Sequence, residues 1–268
     1  MPLAVCATPI GNLEDVTLRV LKELTEADLV LCEDTRHTRG LLERHGIKAR
    51  LLSYHEHNEA KRTAELLPRL EAGERVALVS DAGLPGINDP GARLIAAARE
   101  VGVAVTVLPG PSAVETALVT SGLVSERYTF LGYLPRGERA LRELGEELAR
   151  WPWSAVAFES PQRLRRSLGA LARVVPDRPA AVCRELTKRF EEVVVGTVAE
   201  LAARFAEPPK GEVTLVLGAA AVTGADDEGA ATDAVAELVA AGLPRRQAAE
   251  VVSRLTGVAR NRLYRTSL

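Results

Sequence analysis

From Leu3 to Ser121 the chain alternates short apolar runs with stretches of helical period. That alternation restricts it to a layered α/β architecture with a mostly parallel sheet covered by helices. The apolar runs predict strands at Leu3–Thr8, Leu29–Cys32, Leu51–Ser53, Val76–Ser80 and Val103–Leu108. Helices are predicted between and after them at Thr17–Leu24, Thr38–His45, Glu59–Glu71, Ala92–Val101 and Ala113–Ser121. Asp15 is available to cap the first helix and Gly46 to stop the second.

The pattern changes after Gly122. Strands are predicted at Tyr128–Tyr133, Ser154–Phe158, Ala180–Cys183, Glu192–Val195 and Val213–Leu217, with helices near Ala140–Ala149, Gln162–Val174 and Val198–Phe205. This half reads as a second α/β domain with more antiparallel pairing. The division is therefore residues 1–121 and 122–218 for two α/β domains, and 219–233 for an Ala-, Gly- and Asp-rich linker. A helical, basic tail follows over 234–268, with helices at Ala234–Ala241, Arg245–Leu255 and Arg260–Tyr264 and a turn at Thr256-Gly257-Val258.

In an open α/β sheet, ligands bind outside the carboxyl ends of the strands. Four such loops carry polar chemistry here: Thr8-Pro9-Ile10-Gly11-Asn12, Glu33-Asp34-Thr35-Arg36, Ser80-Asp81-Ala82-Gly83-Leu84-Pro85, and Pro109-Gly110-Pro111-Ser112-Ala113. Glycine in three of them lets backbone N–H and C=O groups approach a ligand closely. Each loop alone is an ordinary turn: Ser112 is placed to cap a helix, and Asp81 to hold its own loop. Their coincidence at strand ends points to a ligand cleft.

Several functions are disfavoured. No Gly-x-Gly-x-x-Gly follows the first strand and no Walker A lysine loop occurs, which argues against a nicotinamide dehydrogenase or a P-loop NTPase. No Cys/His set has zinc spacing, and no metal is expected. Cys6, Cys32 and Cys183 sit far apart in apolar runs, as small buried hydrophobes in a reducing cytoplasm would. No signal peptide or membrane span is expected. The net charge is -2, but Leu243–Leu268 holds six arginines against the single acid Glu250, a local +5. Further basic residues gather at Arg36, Arg39, Arg44, Lys48 and Arg50, and at Arg163, Arg165 and Arg166. Any one cluster reads as a solvated helix face; together they suit phosphates.

The loops resemble those of the tetrapyrrole methylase superfamily, the class III S-adenosylmethionine (SAM)-dependent methyltransferases. The resemblance extends to its branch acting on small-subunit ribosomal RNA. It is carried by Ala7-Thr8-Pro9-Ile10-Gly11-Asn12, Cys32-Glu33-Asp34-Thr35-Arg36, Ser53-Tyr54-His55-Glu56-His57-Asn58, Val79-Ser80-Asp81-Ala82-Gly83 and Pro109-Gly110-Pro111-Ser112-Ala113. Phe158-Glu159-Ser160-Pro161, Arg184-Glu185-Leu186-Thr187-Lys188 and Gly211-Glu212-Val213 continue it in the family's order. Leu84, Gly86 and Gln162 depart from the family pattern, and Leu84 lacks a hydroxyl that its loop would otherwise offer.

The resemblance implies two α/β domains with SAM folded into the cleft between them, plus a small helical C-terminal module. It implies transfer to the ribose 2′-oxygen of a cytidine in the decoding region of small-subunit ribosomal RNA, free or in the assembled 30S subunit, by a homodimer. Pro9, Gly11, Asp81, Gly83, Ile87, Ser112 and Ala113 are expected to line the SAM cleft from the first domain, and Gly211 from the second. Candidates for removing the hydroxyl proton are Asp34, His55, Glu159 and Lys188, the lysine only with a depressed pKa. Glu159, a carboxylate at a strand end facing the cleft, suits the role best. The structural alternative is an ion pair between Glu159 and Arg184 across the cleft, and a local turn pair for Asp34 and Arg36. Arg36, Arg163 and Arg184 suit phosphate anchoring, since arginine stays protonated. His55, in its polar loop, and Arg260 and Arg262 are further candidates for RNA contact. Gly257–Arg265 resembles the second half of a helix-turn-helix, with Ser253 as the small residue four before the turn glycine. A methyltransferase acting on a tetrapyrrole or other small molecule, and a non-enzymatic nucleic-acid-binding regulator, are the alternatives.

Overall fold

The computed structural model describes residues 2–220, 226–256 and 258–266. It divides into two compact units, Met1–Ala220 and Ala221–Leu268.

The first half of the larger unit runs β1 (Leu3–Cys6), α1 (Leu18–Glu26), β2 (Leu29–Cys32), α2 (Thr35–Arg44), β3 (Leu51–Ser53), α3 (Glu59–Glu71), β4 (Val76–Val79), α4 (Ala92–Glu100), β5 (Val105–Leu108) and α5 (Ala113–Thr120). The strands form one sheet in the order β3-β2-β4-β1-β5, and every pairing is parallel. Strand period explains its burial on both faces. Ala4, Cys6, Val30, Cys32, Ala77 and Val79 pack under α1 and α2. Their neighbours Leu3, Val5, Leu29, Leu31, Val76 and Leu78 pack under α3 and α4. Two helix starts differ from expectation. The cap of α1 is Thr17, whose hydroxyl accepts from the Val20 N–H, while Asp15 closes a short 3-10 turn. Helix α2 begins at Thr35 because the Asp34 carboxylate accepts from the Arg36 N–H and caps it.

The second half runs β6 (Tyr128–Tyr133), α6 (Glu138–Ala149), β7 (Ser154–Glu159), α7 (Pro161–Ala172), β8 (Pro179–Arg184), β9 (Glu192–Thr197), α8 (Val198–Arg204) and β10 (Val213–Leu217). Its sheet has the order β6-β7-β10-β8-β9, with only β6–β7 parallel. Helices α6, α7 and α8 cover one face through Leu141, Leu148, Leu164, Leu168, Leu171 and Leu201. The other face packs Val156, Ala181, Cys183 and Val216 against Val114, Ala117 and Leu118 of α5. The last helix of the first half is thus part of the core of the second, so the halves expected as 1–121 and 122–218 make one unit.

The smaller unit contains α9 (Asp226–Ala240), α10 (Arg245–Thr256) and α11 (Arg260–Thr266). Ala231, Val235, Ala248, Ala249, Val252 and Leu263 form its core. Helix α9 takes up residues 226–233 of the stretch expected as linker. Residues 221–225 of that stretch, and Gly257 of the expected turn, lie outside the described residues. No helix among the described residues is long and apolar enough to cross a membrane.

Candidate active site

The carboxyl ends of the first sheet face the second sheet across a cavity of about 670 Å³. Small-molecule and cofactor sites run to roughly 300–1,000 Å³. The first half supplies Ile10, Asp81, Gly83, Ile87, Asp89, Ser112 and Ala113; the second supplies Phe130, Tyr133, Phe158, Glu159, Gly211 and Glu212. Five lining residues are carboxylates (Asp81, Asp89, Glu115, Glu159 and Glu212) and none is lysine or arginine. A low-dielectric cleft of one sign concentrates ligands of the other, so the lining favours a cation.

The wall from the first half is held by backbone. Thr8 and Gly83 exchange N–H···O=C bonds of 2.8 and 3.1 Å, and the Thr8 hydroxyl donates to the Ser80 carbonyl at 3.0 Å. Gly83 has φ +76°, a conformation that glycine adopts without Cβ strain. On the opposite wall Phe158 meets Phe130 and Tyr133 edge-on, with ring centroids 5.0 and 5.7 Å apart. These aromatics, absent from the sequence-derived set, give a planar ligand a surface to stack on.

Asp81, Gly83, Ile87, Ser112, Ala113 and Gly211 line the cavity; Pro9 and Gly11 do not. Gly11 instead makes room for the second half: a Cβ there would lie 2.5 Å from Lys188 Cγ and 2.8 Å from Thr187 Oγ1. The neighbouring Asn12 N–H donates to Thr187 Oγ1 at 3.0 Å. Ser112 occupies the N-cap position of α5, but its hydroxyl donates to the Glu115 carboxylate, which also accepts from Tyr128 at 2.6 Å. Burial works against the Glu115 charge, yet these two hydroxyls hold its pKa below the usual carboxylate value.

Three of the four expected proton acceptors, Glu159, Lys188 and Asp34, are committed elsewhere. Glu159 lines the cavity, but its carboxylate is fully enclosed and accepts from the Arg163 guanidinium, the Ser167 hydroxyl and the Ser160 N–H. It is an anchor for the start of α7 rather than a free base. Its expected alternative partner, Arg184, bonds to Glu192 at 3.0 Å and to the Lys210 carbonyl at 2.8 Å, so no Glu159–Arg184 pair forms. Lys188 bonds to Glu185 and Glu212, each at 3.0 Å. Burial opposes its charge, but these two carboxylates carry its pKa above the ordinary lysine value, which removes it as a base. Asp34 pairs with Arg36 at 2.7 Å, and that side chain together with the Arg36 N–H holds its carboxyl far below the usual range. The Asp34 backbone N–H also donates to Asp81 at 3.2 Å.

Asp89 was not anticipated from sequence. It lines the cavity at the end of the Ser80–Gly91 loop. Burial first, then the charge of Glu33, push its pKa up to about 6; the Ser80 hydroxyl opposes them, and the charge of Asp81 adds a smaller push. Cys183 also lines the cavity, and burial pushes its thiol, like that of Cys6, up to about 12.

The expected RNA contacts divide. Arg163 and Arg184 face inward in the ion pairs above. Arg36 is exposed beside Asp34. His55 is half-buried, with Nε2 3.0 Å from Asn58 Nδ2 and Nδ1 buried without a hydrogen-bond partner. Arg260 and Arg262 are exposed on α11 of the smaller unit. Arg165 and Arg166 on α7, and Arg173 just after it, line a second hollow of about 450 Å³ together with Gln162 and Glu138.

Comparison with known proteins adds to this geometry. The family described as Tetrapyrrole (Corrin/Porphyrin) Methylases matches residues 2–202, and the RsmI C-terminal HTH domain matches residues 219–268. A Mesorhizobium japonicum protein named ribosomal RNA small subunit methyltransferase I is 45% identical over 99% of this chain and 91% of its own length. The protein of that name from Escherichia coli O157:H7 is 40% identical over 99% of this chain and 94% of its own. Among solved structures, the methyltransferase CobJ superposes with a TM-score of 0.63 at 20% identity, covering 82% of this chain and 94% of that one. A uroporphyrin-III C-methyltransferase from Thermus thermophilus, solved with S-adenosyl homocysteine, superposes with a TM-score of 0.57 at 20% identity, covering 81% and 96%.

Proposed function

Because the chain belongs to the tetrapyrrole methylase family, and within it to the ribosomal RNA small subunit methyltransferase I group, we propose that it transfers a methyl group from SAM to the ribose 2′-oxygen of a cytidine in the decoding region of small-subunit ribosomal RNA. The observation that carries the cofactor is the cavity lining: it holds no basic side chain, and of its five carboxylates Asp81, Asp89 and Glu115 form no ion pair among the described residues, which suits the cationic methyl donor. When bound, SAM supplies an electrophilic methyl group on a sulfonium.

The protein's share is placement and electrostatics. The carboxylates complement the positive charge of the donor. Gly83 and Ala113 leave backbone open to it, and Phe130, Tyr133 and Phe158 offer a ring surface. Glu159, holding Arg163 and Ser167, fixes the end of β7 and the start of α7 that form the far wall.

An acidic cavity repels phosphate, so the RNA backbone is held outside it. In this reading the RNA backbone is held by exposed cations: Arg36 and the α7 arginines Arg165 and Arg166 on the larger unit, and Arg260 and Arg262 on the smaller unit. The protein acts as a cytoplasmic homodimer. The open edge of β5, with Val107 exposed on it, offers a second copy a strand to pack against. The test incubates the protein with methyl-labelled SAM and 30S subunits, naked 16S RNA or a precorrin-type substrate. Label at a cytidine 2′-oxygen supports the reading, and label on the tetrapyrrole alone overturns it.

A further inference from the structure

Removing the 2′-hydroxyl proton requires a group inside the cavity whose lone pair is not already committed. Glu159 is saturated by Arg163, Ser167 and Ser160. Glu115 accepts from Ser112 and Tyr128, and Glu212 faces the Lys188 ammonium. Asp81 accepts the Asp34 N–H. Among the described lining carboxylates this leaves Asp89, which faces no cation; the nearby Ser80 hydroxyl directs its proton at the Ala82 and Gly83 carbonyls, each at 3.2 Å.

We propose that Asp89 is the proton acceptor of the methyl transfer, an inference that rests on the RNA methyltransferase reading above. Its placement is built into the loop. Asn88, with φ +58°, sits against β6, where a Cβ on Gly132 would lie 3.1 Å from Asn88 Oδ1. The loop thus runs close beside β6 of the second half, and Asp89, the next residue, lines the cleft. The groups acting on it are the carboxylates of Glu33 at the end of β2 and Asp81 at the end of β4, together with the Ser80 hydroxyl. The two carboxylates make proton uptake easier, so the site's acidity serves both donor binding and base strength. In the step, Asp89 takes the hydroxyl proton as the 2′-oxygen forms its bond to the methyl carbon. The carbon–sulfur bond breaks with its electron pair left on sulfur, giving the neutral thioether, and the proton then passes from Asp89 to solvent.

The experiment compares wild type, Asp89→Asn and Asp89→Glu in single-turnover methylation of 30S subunits or 16S RNA across pH, with SAM affinity measured separately. Asp89→Asn is expected to lose at least tenfold, and up to about 10⁴-fold, in rate. SAM affinity should fall, since one of the lining carboxylates is lost, but by much less than the rate, and Asp89→Glu should recover part of the rate. The acid limb of the wild-type profile, near pH 6 or below because a bound sulfonium favours the carboxylate, should vanish in Asp89→Asn. A rate loss under tenfold, or one matched by lost SAM affinity, overturns the proposal. A wild type that binds SAM yet labels no small-subunit RNA overturns the functional reading instead, and this inference falls with it.

Discussion

Glu159 and Arg163 form an ion pair one helical turn apart, in which the carboxylate is 0% exposed and the guanidinium 27%. The pair closes the junction of β7 and α7 just behind the cavity wall. Glu159→Gln leaves the guanidinium without its counter-charge, and removing one partner of an enclosed pair is expensive. A loss of about 2–4 kcal/mol in urea unfolding is expected. Turnover per folded molecule should keep the wild-type pH dependence. A stable Glu159→Gln protein with turnover abolished would return the base role to Glu159.

Gly11 works by close approach. An alanine there places its Cβ 2.9 Å from the Leu186 carbonyl as well as against Lys188 and Thr187, so the second-half loop has to move. Gly11→Ala is expected to cost about 1–3 kcal/mol, as overpacked sites do. It should also weaken SAM binding, because the loop holding Leu186 lines the cavity. Calorimetric melting and a SAM titration check the two effects together. Unchanged values in both would mean that the loops part at no cost.

The basic surfaces should act through salt. Arg165→Glu with Arg166→Glu on α7, or Arg260→Glu with Arg262→Glu on α11, removes cations without touching the cavity. Each pair is expected to lower RNA affinity and to reduce the slope of log affinity against log salt by about one per lost phosphate contact. SAM affinity should be unchanged. A double variant with the wild-type salt slope excludes that surface from the RNA path.

How much of this was legible in the chain depends on range. Strands β2, β3, β6 and β10 fall at their predicted residues because each is an apolar or β-favouring run closed by polar turns. Helix α2 was expected three residues late because Asp34 read as part of a charged loop, whereas it caps the helix. The second half of α9 was expected from Ala234, but its start over residues 226–233 was read as linker, because among the described residues of that Ala-rich stretch Ala231 is the buried one. The cavity wall was readable loop by loop, but ionic partners were not. Arg184 goes to Glu192 and not Glu159, a choice made by strand pairing of β8 with β9. Asp89 was not singled out, since what raises its pKa is burial made by the fold and the charge of Glu33 at the end of another strand.

Burial, with the charges of Glu33 and Asp81 added, makes Asp89 a stability liability. Its pKa rises from an ordinary 3.8 to about 6, so the native state holds the proton more tightly than the unfolded chain. Below about pH 4 both states are protonated and the site contributes nothing. Between about pH 4 and 6 the unfolded chain has released the proton that the native state still holds, so stability falls as pH rises. Above the native pKa the deficit is complete. Asp89→Asn never ionises and escapes it. The variant should melt with wild type at pH 4 and be more stable at pH 8 by about 1 kcal/mol, once solvent screening of a partly exposed group is allowed for. That corresponds to roughly 2–4 °C in Tm for a unit of this size. Paired melting curves at the two pH values read the difference directly. A constant gap between variant and wild type would show that Asp89 is not held against its charge, and would remove the electrostatic basis for its strength as a base.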